Sequence, residues 1–266
     1  MQWFRNFLPD TNVSLSDRGL AYGDGLFETL SVLHGDVVNL AIHQTRLKRG
    51  CNRLNFAVDD HLWQKIWSFV GQKAQEYPDS GLKIILTRGS GGRGYLPPDT
   101  PNFEFILGVF EKPNYAAMHQ VGVLLTTSPI NASINRSLAG LKHLNRLENV
   151  MAKSCLPASY YEAVLVDANG FIVECIQSNL FWFYKGRLRT AALMTSGVQG
   201  SLRSRILADF DGCIDIGHYT LEDLRLADEI FVCNAMSQIM PVVRFDNKTF
   251  PIGPMTKQLM EKINPI

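Results

Sequence analysis

The chain has 266 residues, of which 46% are hydrophobic and 19% are charged, as in an ordinary folded protein and unlike a disordered one. Its 26 basic and 25 acidic residues nearly balance. The chain therefore lacks the basic excess that is typical of nucleic-acid or membrane-surface proteins. Five scattered cysteines without a CxxC motif predict neither a disulfide framework nor a zinc site, and favour a reducing compartment. No signal peptide or membrane span is evident, so we expect a cytoplasmic protein.

The first part of the chain predicts a small α/β domain. Its predicted elements are, in order, a hairpin over 26–40 that turns at His34-Gly35-Asp36, helices over 41–55 and 59–76, and strands over 82–89 and 103–113. The pattern breaks after this last strand. We therefore predict an N-terminal domain of residues 1–112, a linker at 113–118 and a second domain of residues 119–266.

The second part predicts more strands than helices. Its predicted elements are a strand at 121–129, hairpins turning at Asn169-Gly170 and Lys185-Gly186, a helix at 201–210, and strands at 228–235 and 240–242. Such a series predicts a strongly curved or barrel-like sheet, so the whole chain is expected to be of the α+β or α/β class.

The segment GSGGRG (89–94) matches the G-x-G-x-x-G pattern of dinucleotide-binding enzymes. Such a site needs a helix to open at the last glycine, with its N-terminus facing the pyrophosphate. Pro97 and Pro98 prevent a helix here. We therefore predict a flexible glycine loop, in which Arg88 and Arg93 are suited to surrounding an anionic ligand.

The segment LAGLKHLNRLENVMAK (138–153) predicts a loop that runs into a helix, with Lys142 at the junction. In an apolar site a lysine loses the hydration of its charge, so its pKa falls, and the neutral amine can form a Schiff base with an aldehyde. The alternative is a lysine whose ammonium group reaches water along an apolar surface. We expect the helix to be anchored by its apolar residues, Leu144, Leu147, Val150 and Met151.

Three other features change the weight of these alternatives. Glu174 ends a predicted strand, where a buried carboxylate needs a cationic partner, although it could be a surface residue. The loop GVQGSLR (197–203) opens a predicted helix, whose N-terminus could bind a phosphate. Arg46 lies on a predicted helix, where its alternative is a solvated face. Together with Lys142 they would suit pyridoxal phosphate, with the aldehyde on Lys142, the pyridine nitrogen at Glu174 and the phosphate at Arg46 and the loop.

The chain resembles the fold-type IV pyridoxal-phosphate enzymes, a family that includes branched-chain and D-amino-acid aminotransferases and 4-amino-4-deoxychorismate lyases. The motifs that carry the resemblance span nearly the whole chain: DRGLAYGDGLFET (17–29), HQTRL (43–47), KHLNRLENV (142–150), ECIQSNLF (174–181) and GVQGSLR (197–203). Three segments are similar to the lyases rather than to the aminotransferases: RGSGGRGY (88–95), AGLKHLNRLENV (139–150) and FVCNAMSQIMPV (231–242). The resemblance implies two domains, a small N-terminal α/β domain and a larger cofactor-binding domain with a barrel-like sheet.

The resemblance also implies roles for individual residues. Lys142 would be the Schiff-base lysine and the general base and acid, and Glu174 would pair with the pyridine nitrogen. The other expected residues are Arg46, Ser201, Leu202, Asn234 and Ala235 for the phosphate, Arg93, Tyr95 and Asn234 for the substrate, and Thr29 as a proton donor. Family members often have isoleucine at position 201 and threonine at 202, so a hydroxyl is missing at Leu202. Leu147 stands where branched-chain enzymes have a tyrosine near the cofactor ring.

The lyase-like segments imply the conversion of 4-amino-4-deoxychorismate to 4-aminobenzoate and pyruvate in folate biosynthesis. Lys142 would take a proton from the amine-bearing ring carbon, and Thr29 would protonate the departing enolpyruvyl group. Branched-chain aminotransferases have glycine at the position of Thr29. The alternatives are a class IV aminotransferase, a nucleotide-binding oxidoreductase that rests on the rejected glycine motif, and a non-catalytic binding module. The resemblance also implies a homodimer, and we expect no metal, nucleic-acid or membrane partner.

Overall fold

The computed structural model describes residues 1–264, which form two compact units. The first unit consists of Met1–Pro113 together with Leu141–Asn145. The second consists of Asn114–Gly140 and the chain from Arg146 onward. Lys142 therefore belongs to the first unit, although the residues before and after its short segment belong to the second.

The first unit is built on one antiparallel sheet with three helices. Its elements are β1 (Gln2–Arg5), β2 (Leu8–Pro9), α1 (Arg18–Tyr22), β3 (Gly25–Leu33), β4 (Asp36–Val37), α2 (Leu40–Arg53), α3 (Asp60–Glu76), β5 (Ser80–Thr87) and β6 (Glu104–Glu111). The strands lie in the order β2-β1-β6-β5-β3-β4. Leu26 and Leu30 of β3 pair with Leu86 and Leu82 of β5, and all four are buried. Alternate residues of these strands thus form one apolar face, and α2 lies close to it at Gly50, where a Cβ atom would be 2.7 Å from Leu26 Cδ1.

The second unit contains a larger mixed sheet. Its elements are α4 (Ala116–Val121), β7 (Val123–Thr127), α5 (Leu147–Ser154), β8 (Glu162–Val166), β9 (Ile172–Cys175), β10 (Asn179–Tyr184), β11 (Arg187–Ala191), α6 (Ser201–Asp209), β12 (Ile214–Gly217), α7 (Leu221–Arg225), β13 (Glu229–Asn234), β14 (Gln238–Phe245), β15 (Lys248–Thr249) and α8 (Pro254–Ile263). The order is β12-β11-β10-β13-β14-β7-β8-β9, and β15 pairs with β14. Because β9, at one end of this order, returns beside β10 and β11, the sheet curls, which confirms the predicted barrel-like shape.

The three predicted hairpins are present. His34 and Gly35 have φ values of 51° and 86°, and Lys185 and Gly186 have values of 50° and 74°, as the two-residue turns between twisted strands require. The third connection is longer than two residues, because β8 ends at Val166 and β9 begins at Ile172. The predicted helices at 41–55, 59–76 and 201–210 are also confirmed, each within two residues at its ends. No helix follows the glycine motif at 89–94, so the structure confirms its rejection as a dinucleotide site.

The prediction of a helix directly after Lys142 is wrong. Helix α5 begins only at Leu147, and the segment around Lys142 runs beside the edge of β3. Phe27 N donates to Lys142 O at 2.9 Å, and Leu144 N donates to Gly25 O at 3.0 Å. These main-chain bonds with a distant strand satisfy groups that a local helix would otherwise have satisfied. The segment predicted as a linker also contains regular structure, since α4 begins at Ala116.

The expected anchoring of α5 by its apolar residues is also wrong for three of them. Leu147, Val150 and Met151 are 72%, 57% and 48% exposed. Ala152 is the buried residue of this helix. The helix therefore turns three large apolar side chains toward the outside of the chain.

No helix within residues 1–264 is both long and apolar enough to cross a membrane.

Candidate active site

Lys142 and Thr29 lie on the same side of β3. The Lys142 Nζ atom is 4.3 Å from the centre of the Phe27 ring, close enough for a cation–π interaction when the amine is charged. Thr29 follows Phe27 by two residues, and alternate residues of a strand point to the same face. Both Lys142 and Thr29 are half-buried. The structure thus brings a candidate base and a hydroxyl group to the face of β3 that carries Phe27.

The close approach of the Lys142 segment depends on a glycine. A Cβ atom at Gly25 would lie 2.7 Å from Leu144 Cδ1 and 2.8 Å from Leu86 O, which is too close for any side chain. Leu26 and His143 form a bridge next to it. Gly25 therefore allows the segment to run along the edge of β3, and the resulting ladder fixes the backbone of Lys142.

The other face of β3 holds a buried ion pair. Arg46 Nε donates to Glu28 Oε1 at 2.7 Å, and Arg46 Nη2 also donates to Glu28 Oε2. His43 Nδ1 lies 2.6 Å from Glu28 Oε2. Burial by itself raises the pKa of the Glu28 carboxyl, but the charge of Arg46 and the hydrogen bonds from Arg46 and His43 outweigh it and lower that pKa to about 2. The alternative of a solvated face is wrong for Arg46, which is 7% exposed.

Glu28 and His43 were missed by the sequence analysis. Both are completely buried. The signal for Glu28 was its place between Leu26 and Leu30 on a strand, since alternation puts all three on the same apolar face. A carboxylate there needs a cation from the covering helix, and HQTRL supplies Arg46 together with His43.

Glu174 is a buried carboxylate of the second unit. It lies on β9 and is 7% exposed, so the alternative of a surface residue is wrong. Its Oε2 atom accepts hydrogen bonds from Val198 N at 2.9 Å and from Asn179 Nδ2 at 3.2 Å. Asn179 Nδ2 also donates to Val198 O at 2.9 Å, and Asn179 Oδ1 accepts from Gly200 N at 3.1 Å. Asn179 thus links Glu174 to the loop that precedes α6.

The start of α6 offers backbone donors for an anion. Gly200 is its N-cap residue and provides no side-chain cap, so the N–H groups of the first turn have no partner within the helix. Ser201 and Leu202 are buried. The Leu202 side chain lies in the apolar cluster that contains Phe231, so only its backbone N–H can serve a phosphate. The missing hydroxyl at position 202 is therefore compatible with a phosphate site made of main-chain groups.

Asn234 organises the turn between β13 and β14. Its Oδ1 atom accepts hydrogen bonds from Met236 N and Ser237 N, both at 2.8 Å. Its Nδ2 atom donates to Ser178 Oγ at 3.0 Å. Ala235 lies in the same turn, where its carbonyl accepts from Gln238 Nε2 at 2.7 Å. The Asn234 side chain is thus used largely to shape the turn, and any direct contact with a ligand depends on its second amide hydrogen.

Arg93 and Tyr95 lie in the glycine loop of the first unit and are exposed. Arg88, which precedes the loop, is buried. It donates to both oxygens of Asp24, at 2.7 and 3.1 Å, and to Leu54 O at 2.9 Å. The expectation that Arg88 and Arg93 surround an anion together is therefore wrong for Arg88, whose guanidinium is used inside the first unit.

Each unit by itself holds polar groups of the kinds that bind pyridoxal phosphate. The second unit has a buried carboxylate for a protonated pyridine nitrogen and an uncapped helix start for a phosphate, and the first has a lysine amine and a buried arginine. Within residues 1–264 there is no group of three or more His, Cys, Asp and Glu that could hold a metal ion. The carboxylate, the amine, the arginine and the helix start are the kinds of group that an organic cofactor with one anionic end requires.

We predict that Glu28→Gln destabilises the first unit and weakens its response to acid. At pH 7 the change leaves Arg46 buried without its carboxylate, which costs about 3–5 kcal/mol. The Glu28 pKa rises from about 2 in the folded state to 4.5 in the unfolded chain. Its stabilising contribution is therefore complete above pH 4.5 and is lost as the pH falls toward 2, so the difference between variant and wild type shrinks over this range.

The measurement is thermal unfolding of both proteins at several pH values between 7 and 2.5. Glu76→Gln is the control, since the Glu76 carboxylate that pairs with Lys73 is exposed to water, and we expect little change in unfolding temperature. Equal losses for the two variants at pH 7 would show that Glu28 and Arg46 are not coupled as described.

Comparisons with known proteins identify the family of the chain. The family model described as Amino-transferase class IV matches residues 25–245. The chain is 32% identical over 268 residues to an aminodeoxychorismate lyase of Vibrio harveyi, covering 97% of this chain and 98% of the relative. It is 29% identical to a putative branched-chain-amino-acid aminotransferase of Methanocaldococcus jannaschii, covering 97% and 92%.

Solved structures give the same result. The crystal structure of 4-amino-4-deoxychorismate lyase from Pseudomonas aeruginosa superimposes with a TM-score of 0.93 at 35% identity, covering 98% of this chain and 97% of that one. Branched-chain amino acid aminotransferase of Escherichia coli has a TM-score of 0.84 at 21% identity, covering 98% and 92%, and is a likeness of fold alone. The predicted family and fold class are confirmed: this protein belongs to the class IV aminotransferase family and has the fold of the fold-type IV pyridoxal-phosphate enzymes.

Proposed function

We propose that this protein is a pyridoxal-phosphate-dependent lyase that converts 4-amino-4-deoxychorismate to 4-aminobenzoate and pyruvate, a step in folate biosynthesis. The observation that carries the proposal is the placement of Lys142 and Thr29 on the face of β3 that carries Phe27, because the reaction needs one group to remove a proton and another to donate one. Full-length similarity to aminodeoxychorismate lyases of Vibrio harveyi and Pseudomonas aeruginosa supports it.

Pyridoxal phosphate, when bound, supplies an electron-withdrawing pyridinium ring that accepts the charge left by proton removal. Glu174 is proposed to keep the pyridine nitrogen protonated, as its burial makes it a strong partner for a cation. Arg46 is proposed to bind the phosphate, with Glu28 fixing the orientation of its guanidinium. The other proposed phosphate ligands are main-chain groups at Ser201, Leu202, Asn234 and Ala235.

Lys142 and Thr29 are the proposed catalytic residues. The Lys142 amine removes the proton from the amine-bearing ring carbon of the substrate, after which the ether bond breaks and the ring becomes aromatic. The Thr29 hydroxyl donates a proton to the methylene carbon of the departing enolpyruvyl group, which becomes pyruvate. Lys142 holds the proton it removed and is proposed to return it to Thr29, since both lie on the face of β3 that carries Phe27.

The substrate carries two carboxylates, and the first unit offers a cation for them. We propose that Arg93 and Tyr95 of the glycine loop bind a carboxylate, with Asn234 as a further substrate contact. An arginine fork can bind a carboxylate through two parallel hydrogen bonds. Arg88 is buried and pairs with Asp24, whereas Arg93 of the loop is exposed.

The function predicts that the purified protein is yellow and releases pyruvate from aminodeoxychorismate without any 2-oxo acid. A class IV aminotransferase is the second candidate, because the matching family is described as Amino-transferase class IV and several relatives are named as aminotransferases. An aminotransferase moves the amine to a 2-oxo acid and leaves the ether bond intact, so it would release no pyruvate and would form an amino acid only when the acceptor is present. The measurement is absorbance of the protein together with pyruvate formation, with and without the acceptor.

The same measurement applied to Lys142→Ala tests the lysine. We expect a colourless protein without lyase activity, since the amine is both the attachment point and the base. Lys83→Ala is the matched control, because Lys83 Nζ lies 5.7 Å from the same Phe27 ring and has no proposed role. A yellow Lys142→Ala protein whose cofactor is still fixed by borohydride would refute the assignment.

Thr29→Ala should keep the cofactor and lose most turnover. The variant removes the hydroxyl but none of the groups proposed to hold the cofactor, so its absorbance should match the wild type. General acid catalysis typically contributes about 10²–10⁴-fold, and we expect a fall in kcat within that range. Thr29→Ser, which restores the hydroxyl, should recover most of it. Unchanged turnover in Thr29→Ala would remove Thr29 from the mechanism.

We further propose that the protein is a homodimer. The support is the exposed apolar surface of α5, formed by Leu147, Val150 and Met151, since such side chains commonly mark a contact between proteins. A double change of Val150 and Met151 to Glu should shift the protein from dimer to monomer in sedimentation velocity. A wild-type protein that sediments as a monomer at micromolar concentration would contradict the proposal.

The cellular location, the absence of certain partners and the domain division are also proposals. We propose that the protein works in the cytoplasm, which its five unpaired cysteines support, and without a nucleic-acid or membrane partner. We also propose residues 1–112 and 119–266 as its two domains, joined at 113–118. This division follows the chain order, whereas the compact units are defined by contacts in space. The main difference is that the short segment around Lys142 belongs to the first compact unit.

A further inference from the structure

A single buried arginine gathers the backbone of the glycine loop. Arg18, on α1, is 4% exposed. Its Nη1 atom donates to the carbonyls of Gly91, Gly94 and Leu96 at 3.3, 3.0 and 3.4 Å, and its Nη2 atom donates to Tyr95 O at 3.0 Å. Four carbonyl oxygens from one short loop thus converge on one guanidinium group.

The Arg18 guanidinium is itself fixed by a shared carboxylate. Its Nε atom donates to Asp24 Oδ2 at 2.9 Å, and the same carboxylate accepts two hydrogen bonds from Arg88. Burial raises the pKa of Asp24, but the two arginines outweigh that effect and lower it. Asp24 therefore stays ionised at neutral pH and sets the plane of the Arg18 fork.

The start of α1 also holds the base of the loop. Arg18 N donates to Gly89 O at 2.9 Å. Thr87 Oγ1 donates to Asp17 Oδ2 at 2.6 Å and accepts from Gly89 N at 3.0 Å. Asp17 in turn caps α1 by accepting from Leu20 N. Asp17 and Arg18 thus contact the loop from its base to its far end, through both their side chains and their backbone.

This loop needs such support because of its composition. Gly89, Gly91, Gly92 and Gly94 all have positive φ values, between 59° and 119°, and glycine-rich backbone has the largest conformational entropy to lose on ordering. Tyr95 is 88% exposed. Its ring is tilted against the Tyr22 ring, with the centroids 5.5 Å apart, and Arg18 lies over that Tyr22 ring at 5.0 Å. Arg18 therefore supports the loop through its backbone and through Tyr22.

We propose that Arg18 is a positioning residue that presents Arg93 and Tyr95 to a substrate carboxylate. The inference rests on the proposed function, in which these two residues bind the substrate. The held carbonyls of Gly91 and Gly94 lie on either side of Arg93, so they fix the backbone from which its side chain extends. Lysine cannot replace Arg18 fully, because one ammonium group lacks the planar set of five donors.

The test compares Arg18→Lys with wild-type holoenzyme in two measurements. The first is limited digestion with trypsin, with the cut after Arg93 identified by mass spectrometry. We expect it about tenfold faster in Arg18→Lys, which is the population change expected when one or two net hydrogen bonds are lost. The second is kinetics with aminodeoxychorismate, where we expect KM to rise about tenfold for the same reason, while kcat and the absorbance of the bound cofactor change little.

Arg88→Lys is the matched control. Arg88 shares the Asp24 carboxylate, but its carbonyl partners are Leu54 and Asn55 outside the loop. We expect its cutting rate after Arg93 and its KM to stay near the wild-type values. Equal effects of the two variants would overturn the inference, since they would place the effect in Asp24 rather than in the loop.

Other outcomes separate the inference from the function. An unchanged cutting rate in Arg18→Lys overturns the inference whatever the enzyme does to aminodeoxychorismate, because the digestion needs no substrate. A parallel loss of cofactor absorbance and kcat also overturns it, since this would indicate general damage to the fold. Failure of the proposed function is seen separately, as no pyruvate release by the wild-type protein.

Discussion

The two main-chain hydrogen bonds between β3 and the Lys142 segment are the constraint on which the proposed chemistry depends. They connect Gly25 and Phe27 with residues more than a hundred positions later in the chain. A backbone ladder fixes an amine better than side-chain contacts alone, because two adjacent bonds restrict the direction of the strand as well as its distance. The lysine stem then has a defined origin beside Phe27, and Thr29 lies on the same face of the strand.

Strand β3 thus serves two purposes on its two faces. One face carries Phe27 and Thr29 toward Lys142, and the other carries Glu28 into the apolar layer under α2. A carboxylate at that position is tolerable only because Arg46 and His43 satisfy it. In return, Glu28 orients the guanidinium that is proposed to meet the phosphate. Pairing within the protein and binding of a ligand are therefore linked through one strand, and a change on either face is expected to affect the other.

The sequence predicted local structure well, and its errors have physical causes. The turns at His34-Gly35 and Lys185-Gly186 are local, so residue type was sufficient to place them. The helix expected directly after Lys142 failed because its competitor, pairing with the edge of β3, comes from a remote part of the chain. The exposed apolar residues of α5 were misassigned to the core because helical periodicity shows that an apolar face exists without showing what covers it.

The candidate site was predicted in its chemistry more than in its geometry. The residue types at 142, 174 and 46 were sufficient to suggest a cofactor with an aldehyde, a basic nitrogen and a phosphate. Asn179, which joins Glu174 to the loop before α6, has contacts that depend on the packing of two loops and on a polar network that no short motif encodes. Arg18 belongs to the motif DRGLAYGDGLFET (17–29), but its four carbonyl partners come together only when the glycine loop is folded.

The placement of Leu141–Asn145 in the first compact unit has a consequence for biosynthesis. A growing chain cannot complete the edge of β3 when Pro113 leaves the ribosome, since the edge partner is synthesised later. The ordering of this edge must wait until residues 114–140 have also been made, and this separation raises the contact order of the first unit and the entropy cost of closing it. Until then the lysine is absent from its place beside Phe27, so the chain acquires its proposed cofactor-attachment point only after residues 114–140 of the second unit have also been made.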